Sequence, residues 1–244
     1  MGAAMATAGG CGGGDDGAGT GSASSFGTAV QFDSESGRII SADFAAPAGV
    51  QNPPGILLLH QFGGSRAQWA AFAPQLTAAG YAVLAPDLDY SAINSCPNGD
   101  AGNQCRADTV QGLVADVRGG LLYLESRPSL DTSRIAVVGA SFGGNLAYVA
   151  SGEFADVDTA VALSPNANPP SPALLGQGLE DFKPHSILFM ADGNEAGDAR
   201  GLAANTGQPV DVKVYEAQKA HGVELLEEPQ PPQDLLAWLA GHLK

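Results

Sequence analysis

The sequence predicts the α/β fold class, with a doubly wound, mostly parallel sheet, an N-terminal antiparallel hairpin and no large cap domain. Short apolar strands alternate with helical patterns through most of the chain, as they do in a parallel sheet with helices on both faces. The first two strand patterns instead alternate polar and apolar residues around a short turn, as in a hairpin. In the middle of the chain, an apolar strand continues directly into Gly-Ala-Ser-Phe-Gly at 139–143, a pattern typical of a sharp strand-to-helix turn.

Composition divides the chain into two parts, residues 1–25 and residues 26–244. The first part consists largely of Gly, Ala, Ser and Asp. These residues bury too little apolar surface to fold, so we predict a disordered tether. The chain has 244 residues, 44% of them hydrophobic, which is enough for one sizeable core. We therefore predict a single folded domain over 26–244.

The first half of this domain supplies the hairpin, a central strand, a helix and a second strand. Residues 30–44 alternate around a turn and predict the hairpin. The wholly apolar run 56–59 predicts a strand that is buried on both faces. Apolar residues at helical spacing over 69–79 predict a helix that ends at a glycine, and 81–85 predicts the next strand.

The second half alternates helices and strands more regularly. A helix is predicted over 110–127, and the pair Gly119-Gly120 inside it indicates close packing against a neighbour. Only about twenty residues separate the strands predicted at 159–163 and 186–190, which leaves no room for a large cap. The remaining elements are the strand 134–140, the helix 145–150, an edge strand over 210–215 and a helix over 234–239.

The turn around Ser141 identifies a candidate nucleophile. Glycines stand two residues before and two residues after this serine, at places where a side chain would obstruct a tight turn. Such a nucleophile elbow lifts the serine hydroxyl above the end of the sheet and starts a helix directly beneath it. Ser141 is therefore predicted to attack a substrate.

A serine nucleophile needs a base, and His221 is the predicted one. The base takes the proton of the hydroxyl during attack, and a carboxylate holds the base in the correct tautomer. In a sheet of this topology the chain order is serine, acid, histidine. His221 lies just beyond the last predicted strand, in a loop that can reach back over Ser141. His185 precedes a strand and His242 lies in the last helix, so both are poorly placed.

The acid is expected directly after the strand 186–190, where three carboxylates occur. Counted from the end of the strand, Glu195 occupies the usual acid position. Asp192 lies nearer the end of the strand and would need a shorter turn. We favour Glu195, keep Asp192 as the alternative and place Asp198 third.

Two N–H donors are needed to bind the oxyanion that forms during attack. The backbone amide of Phe142, the residue after the nucleophile, is the first. The second is expected from the loop 60–64 after the first parallel strand, with Phe62 preferred and Gln61 as the alternative. His60 follows the strand immediately, so we expect it to shape this loop through hydrogen bonds.

These motifs resemble the α/β-hydrolase superfamily, and most closely its small dienelactone-hydrolase-like and esterase-like branch. The resemblance rests on LLHQFGG at 58–64, GYAVLAPD at 80–87, GASFGG at 139–144 and AHG at 220–222, and it implies the α/β-hydrolase fold and esterase activity. Three departures accompany it. The common His-Gly is here His60-Gln61, the loop after the second strand reads DLDYS, and Ser141 replaces the cysteine of true dienelactone hydrolases, which argues against their reaction.

Two cysteines favour export. Cys96 and Cys105 lie in a predicted polar loop that is well suited to a short disulfide, and such a bond persists in an oxidising compartment. Two unpaired thiols in a surface loop are the alternative. A metal site is disfavoured because no histidine accompanies the pair and the spacing is not that of a zinc knuckle.

Cys11 precedes a Gly-, Ser- and Asp-rich stretch and resembles the acylation site of a bacterial lipoprotein. Residues 1–10, however, contain neither the basic start nor the apolar run of a signal peptide. An incidental cysteine in a disordered tail is therefore the alternative. We predict a secreted protein or a cell-envelope lipoprotein, attached to a membrane only through lipidated Cys11, and a cytoplasmic protein if this interpretation is wrong.

Charge narrows the set of partners. The chain carries 11 Lys and Arg against 26 Asp and Glu, a formal net charge of -15. This charge repels phosphate backbones and disfavours anionic substrates, so we expect no nucleic-acid partner. We predict a hydrolase that cleaves small-molecule carboxylic esters through an acyl-enzyme, with no metal or organic cofactor. A non-catalytic cell-surface binding module on a hydrolase scaffold is the alternative.

Overall fold

Strand pairing gives one eight-stranded sheet in the order β1-β2-β4-β3-β5-β6-β7-β8. The computed structural model describes residues 25–166, 183–216 and 219–243. Strands β1 and β2 form an antiparallel hairpin, β2 runs antiparallel to β4, and all later pairings are parallel. The predicted sheet and its N-terminal hairpin are confirmed. The strands are β1 (Thr28–Asp33), β2 (Ile39–Ala45), β3 (Pro54–Leu59), β4 (Ala82–Pro86), β5 (Asp131–Ala140), β6 (Thr159–Leu163), β7 (His185–Asp192) and β8 (Gly207–Tyr215).

Six α-helices and three 3-10 turns accompany the strands in the described part of the chain. The helices are α1 (Ala73–Ala78), α2 (Ser91–Ser95), α3 (Asp100–Glu125), α4 (Phe142–Glu153), α5 (Ala196–Ala203) and α6 (Gln230–His242). The 3-10 turns are Arg66–Trp69, Gly193–Glu195 and Gly222–Glu227. The predicted lipidation site Cys11 and the rest of the predicted tether up to residue 24 lie outside the described residues. So do residues 167–182, which include most of the Pro-rich loop between β6 and β7.

Apolar side chains cover both faces of the sheet, as a doubly wound arrangement requires. Successive residues of a strand point to opposite faces, so Leu57 and Leu59 of β3 belong to one core cluster and Ile56 and Leu58 to the other. Helices α3, α4 and α5 close the first cluster, and α1 and α6 close the second. Their buried contributions include Leu113, Leu146 and Leu202 on the first face and Leu76 and Leu235 on the second.

Prolines determine where two helices begin. The predicted helix over 69–79 is divided into the 3-10 turn Arg66–Trp69 and α1, which starts one residue before Pro74. Proline has no amide hydrogen to donate and fits the first turn of a helix, where that hydrogen has no intrahelical acceptor. For the same reason, α6 begins at Gln230, ahead of two prolines, and not at 234 as predicted.

Helix α3 begins at Asp100, well before the predicted start at 110, so the prediction of a polar loop around Cys105 was wrong. Most of residues 100–109 are exposed or half-buried, so this part of the helix carries no apolar stripe that periodicity could detect. The predicted disulfide is present, with a Cα–Cα distance of 5.6 Å. It joins Cys96, at the end of α2, to Cys105 inside α3.

Two glycines of α3 provide a matched test of its packing. A side-chain Cβ added to Gly119 would lie 2.6 Å from the Asp33 carbonyl oxygen, whereas a Cβ added to Gly112 would meet nothing within 4 Å. We expect Gly119→Ala to lower the free energy of unfolding by about 1 to 3 kcal/mol because backbone must move. Gly112→Ala should be neutral or raise it by up to about 1 kcal/mol. Urea denaturation measures both, and equal effects would contradict this packing.

Candidate active site

The backbone at Ser141 has the strained conformation of a nucleophile elbow. Ser141 lies between β5 and α4 with φ 53° and ψ -115°, a region that residues with a side chain rarely adopt. A Cβ on Gly143 would collide with the Leu59 carbonyl oxygen, and one on Gly139 would collide with the backbone of Gly143. The amide of Ser141 donates to the Leu163 carbonyl oxygen at 2.8 Å. The strand, turn and helix therefore have the geometry that the sequence predicts.

His221 and Glu195 lie against each other at the same edge of the sheet. The Nδ1 atom of His221 is 2.5 Å from Oε1 of Glu195. Glu195 ends the 3-10 turn after β7, and His221 precedes the 3-10 turn after β8. Because the carboxyl ends of parallel strands meet at one edge, two residues 26 positions apart become neighbours.

Contacts of Gly222 hold the His221 loop over the end of β5. The Gly222 amide donates to Oγ of the buried Ser164 at 2.9 Å. A Cβ at Gly222 would lie 3.4 Å from the Cβ of Ala140 and would collide with the side chain of Gln61. Since Ala140 precedes Ser141, these contacts bring the loop that carries His221 next to the elbow.

The carboxylate of Asp192, the alternative acid, accepts hydrogen bonds from two neighbouring segments. Its Oδ1 atom accepts from the amide and side chain of Asn194, at 3.1 Å and 2.8 Å, and its Oδ2 accepts from the Lys219 amide at 3.2 Å. It thus caps the turn that carries Glu195 and joins that turn to the segment before His221. Among the described residues, neither Asp192 nor Asp198 forms a hydrogen bond or an ion pair with the imidazole of His221.

Each member of the His221–Glu195 pair favours the charged form of the other. The hydrogen bond to Glu195 raises the pKa of His221 above its ordinary value, against the opposing effect of burial. Burial alone would raise the pKa of Glu195, but the contacts with His221 and the nearby Ser164 hydroxyl outweigh it and hold that pKa below its ordinary value. The pair is therefore suited to stabilising an imidazolium.

The two candidate amides in the loop after β3 differ in their hydrogen bonds to the residues that the structure describes. The amide of Gln61, the alternative donor, already donates to Oε1 of Gln68 at 3.2 Å. The amides of Phe62 and Phe142 donate to no group within the part of the chain that the structure describes. The rings of these two residues meet edge to face, with centroids 6.3 Å apart. The two residues with the predicted donors are thus neighbours, and Phe142 follows Ser141 directly.

His60 shapes this loop, as the sequence analysis expects. Leu88 donates its amide to Nε2 of His60 at 2.9 Å, so Nδ1 carries the proton and donates to the Gln61 carbonyl oxygen at 2.9 Å. The Tyr90 hydroxyl donates to the His60 carbonyl oxygen at 2.8 Å. Burial lowers the pKa of His60. A buried neutral imidazole with both nitrogens occupied is unsuited to proton transfer.

Sequence reasoning missed the buried cation that anchors the same loop. Arg66 is 3% exposed, and its guanidinium lies 3.0 Å from Oδ1 of Asp43 and 3.0 Å from Oδ2 of Asp87. Its amide also donates to Asp87, at 2.8 Å. The loop is thereby tied to β2 and to the end of β4. No motif marks Arg66, because its two partners lie about twenty residues away on either side.

No metal site or membrane-spanning helix is found in the parts of the chain that the structure describes. No group of three or more His, Cys, Asp or Glu residues there is arranged to hold a metal ion. Nor is any helix within 25–166, 183–216 and 219–243 both long and apolar enough to cross a bilayer.

Comparisons with known proteins give one family and many similar folds. The model of the dienelactone hydrolase family matches residues 40–181. A dienelactone hydrolase from Anabaena variabilis superposes with a TM-score of 0.66 at 19% identity, over 89% of this chain and 98% of that one. An acetyl xylan esterase from Paenibacillus sp. R4 gives 0.69 at 19% identity, over 88% and 83%. The quorum-quenching protein AidA of Acinetobacter baumannii is 32% identical over 117 residues, which span 47% of this chain and 36% of AidA.

Replacing the buried cation tests how the loop after β3 is held. We expect Arg66→Met to lower the free energy of unfolding by about 3 to 5 kcal/mol, because it leaves the fully buried Asp43 without its cation. Arg106→Met is the control, since Arg106 contacts only nearby groups near the protein surface and should change stability by less than about 0.5 kcal/mol. Equal effects in urea denaturation would show that Arg66 does not anchor the loop.

Proposed function

We propose, given that the chain belongs to the dienelactone hydrolase family, that it is a serine hydrolase which cleaves carboxylic esters of small molecules. The contact between His221 and Glu195, 2.5 Å long and beside the elbow that carries Ser141, is the observation that supports this proposal most directly. A serine, a histidine and a carboxylate in this chain order are what acyl transfer requires on such a sheet.

In the proposed reaction, Oγ of Ser141 attacks the ester carbonyl carbon while Nε2 of His221 takes the hydroxyl proton. The amides of Phe62 and Phe142 bind the oxyanion that develops on the carbonyl oxygen. His221, now an imidazolium held by Glu195, returns the proton to the leaving alcohol, and an acyl-enzyme on Ser141 remains. Water, activated by His221, then attacks the acyl-enzyme and releases the carboxylic acid.

The proposed reaction differs from dienelactone hydrolysis, after which the family is named, in its nucleophile. Ser141 replaces a cysteine, and the loop after β4 departs from the family pattern, so we propose a different ester substrate. The alternative, a binding module without activity, would not need a strained backbone at Ser141 or a histidine paired with a carboxylate. Strain of this kind costs roughly 1 to 3 kcal/mol and is typical of functional sites.

We also propose that the protein works in an oxidising compartment. The disulfide between Cys96 and Cys105 would be reduced in most cytosols and would persist after export. Attachment through a lipid on Cys11 stays a prediction, since that residue lies outside the described part of the chain.

Substitutions at the nucleophile and at both candidate acids test the proposed triad. On p-nitrophenyl acetate, Ser141→Ala should lower kcat by a factor on the order of 10⁴ or more, and Glu195→Gln by about 10³ to 10⁴, because the histidine loses its orienting charge. Asp192→Asn should cost about tenfold or less, since the asparagine oxygen can still accept both hydrogen bonds from Asn194 and the one from the Lys219 amide is lost. A larger loss in Asp192→Asn than in Glu195→Gln would show that the acid is wrongly assigned.

The pH dependence of kcat/KM provides an independent test of the pair. The base must be neutral, so activity should fall as pH decreases through the pKa of His221, which Glu195 raises above its ordinary value of 6.5. In Glu195→Gln this acidic limb should move to lower pH while the maximum activity falls. Glu227→Gln, which removes an exposed charge from the turn after His221, should leave the limb in place. An acidic limb that does not move in Glu195→Gln would contradict the pairing.

A further inference from the structure

A cavity of about 330 Å³ lies beside the loop after β3, and none of the proposed triad residues lines it. Its walls come from two segments, residues 62–64 and residues 88–94, the second of which includes the start of α2. The first segment contains the proposed oxyanion donor Phe62. The second is the loop after β4, where the sequence departs from the family pattern. The disulfide at Cys96 joins the end of α2 to α3, which steadies this wall.

The aromatic wall of the cavity contacts the residue that follows Ser141. The ring of Phe62 stacks on that of Tyr90, with centroids 5.9 Å apart and planes inclined by 13°. The same two rings also contact Phe142, with centroids 6.3 Å and 5.0 Å away, and Phe142 follows Ser141 directly. A substrate whose carbonyl oxygen is bound by the amides of Phe62 and Phe142 therefore has one substituent beside this aromatic wall.

The position of His221 indicates whether the acyl chain or the leaving alcohol lies beside the aromatic wall. The leaving oxygen must lie within hydrogen-bond reach of His221, since His221 returns the proton to it. The space on the acid side of His221 is a separate cavity of about 270 Å³, lined by residues that include Glu195 and Ala220. The cavity beside Phe62 has none of these residues in its walls. The acyl chain, which points away from the leaving oxygen, is thus the part of the ester directed toward it.

The walls combine an apolar surface with a polar rim. Phe62, Leu88 and Tyr90 supply apolar surface, and Asp89, Ser91 and Asn94 supply polar groups. The Ser91 amide donates to Oδ1 of Asp89 at 2.9 Å. Contacts with the Ser91 side chain and amide hold the pKa of Asp89 below its ordinary value, so its carboxylate is ionised near neutral pH.

The negative charge of Asp89 in the rim disfavours a second negative charge on the substrate. A carboxylate on the substrate would lose solvent and meet like charge, whereas a hydroxyl or a cation would meet an acceptor. Arg38, whose charge acts on Asp89, is itself paired with the buried Asp116. At about 30 Å³ for each water molecule in the liquid, the cavity holds roughly ten water-sized groups.

From these observations we propose that this cavity is the acyl subsite, and that it takes a medium-sized uncharged or cationic acyl group, apolar near the carbonyl, with a hydrogen-bond donor or positive charge at its far end. This proposal rests on the proposed esterase function and names the substrate class of that site. It assigns Phe62 and Tyr90 to the apolar part of the acyl chain and Asp89 to its far end.

A large side chain placed in the cavity tests whether the acyl chain of the substrate occupies it. Asn94→Phe places a large ring at the cavity wall, whereas Ser95→Phe places the same ring on the next residue of α2, which does not line the cavity. Both positions are exposed, so both variants should fold. We expect Asn94→Phe to lower the ratio of kcat/KM for p-nitrophenyl hexanoate to that for p-nitrophenyl acetate by about tenfold or more. Ser95→Phe should leave this ratio within about twofold of wild type.

Removing the negative charge of Asp89 tests whether this residue determines the charge preference for the acyl group. Three p-nitrophenyl esters of equal chain length are compared at low salt: hexanoate, 6-(trimethylammonio)hexanoate and the monoester of adipate. Wild type should hydrolyse the adipate monoester least efficiently and the ammonium ester at least as efficiently as hexanoate. Asp89→Asn should reduce the difference between the charged esters by about fivefold. Asp108→Asn, at an exposed position of α3 outside the cavity wall, should preserve it.

The results separate failure of the subsite from failure of the esterase function. If folded wild type hydrolyses none of these esters, the esterase proposal is wrong and the subsite proposal is wrong with it. If wild type hydrolyses them but Asn94→Phe and Ser95→Phe change the chain-length ratio equally, the cavity is not the acyl subsite. If Asn94→Phe alone changes the ratio but Asp89→Asn does not alter charge preference, the substrate class is overturned. Both expected shifts together support the proposal.

Discussion

The close approach of the elbow to its neighbouring strand is the constraint on which the site depends. Gly143 lies so near the Leu59 carbonyl oxygen that no side chain fits between α4 and β3, and Gly139 is equally confined by the backbone of Gly143. This packing holds Ser141 at positive φ. Since the sheet is parallel here, the ends of the strands on either side of β5 then determine where the loops with the proposed base, acid and oxyanion donors can lie.

Polar contacts, more than apolar packing, position those loops. Asp192 caps the turn that carries Glu195 and accepts from the segment before His221, while Ser164 holds the residue after His221. Arg66 ties the loop after β3 to two carboxylates. Buried groups of this kind are costly without partners, so each network favours one loop arrangement. The cavity beside Phe62 lies at the same edge, which places the proposed acyl subsite and the reacting groups on one set of strand ends.

Periodicity predicted elements where burial produces a pattern and failed where it does not. Strand β3 is buried on both faces and reads as an unbroken apolar run, so it was predicted within two residues. The first part of α3 is mostly polar and solvent-facing, so the start at Asp100 was missed. Helix α5 was not predicted at all, since its sequence AGDARGLA contains a single large apolar residue. Within the site, Arg66 and Ser164 could not be predicted because their roles come from partners far away along the chain.

Local sequence patterns were sufficient to predict the doubly wound sheet, the elbow at Ser141 and the chain order of the candidate groups. Strand burial, glycine spacing and chain order can all be read from neighbouring residues in the sequence. The folded chain was needed to choose between alternatives. Glu195 contacts His221, while the Asp192 carboxylate already accepts from the Lys219 amide. The Phe62 amide is unoccupied among the described residues, while that of Gln61 donates to Gln68. Which groups are paired depends on how the loops approach one another in the folded chain, and only three-dimensional contacts reveal that.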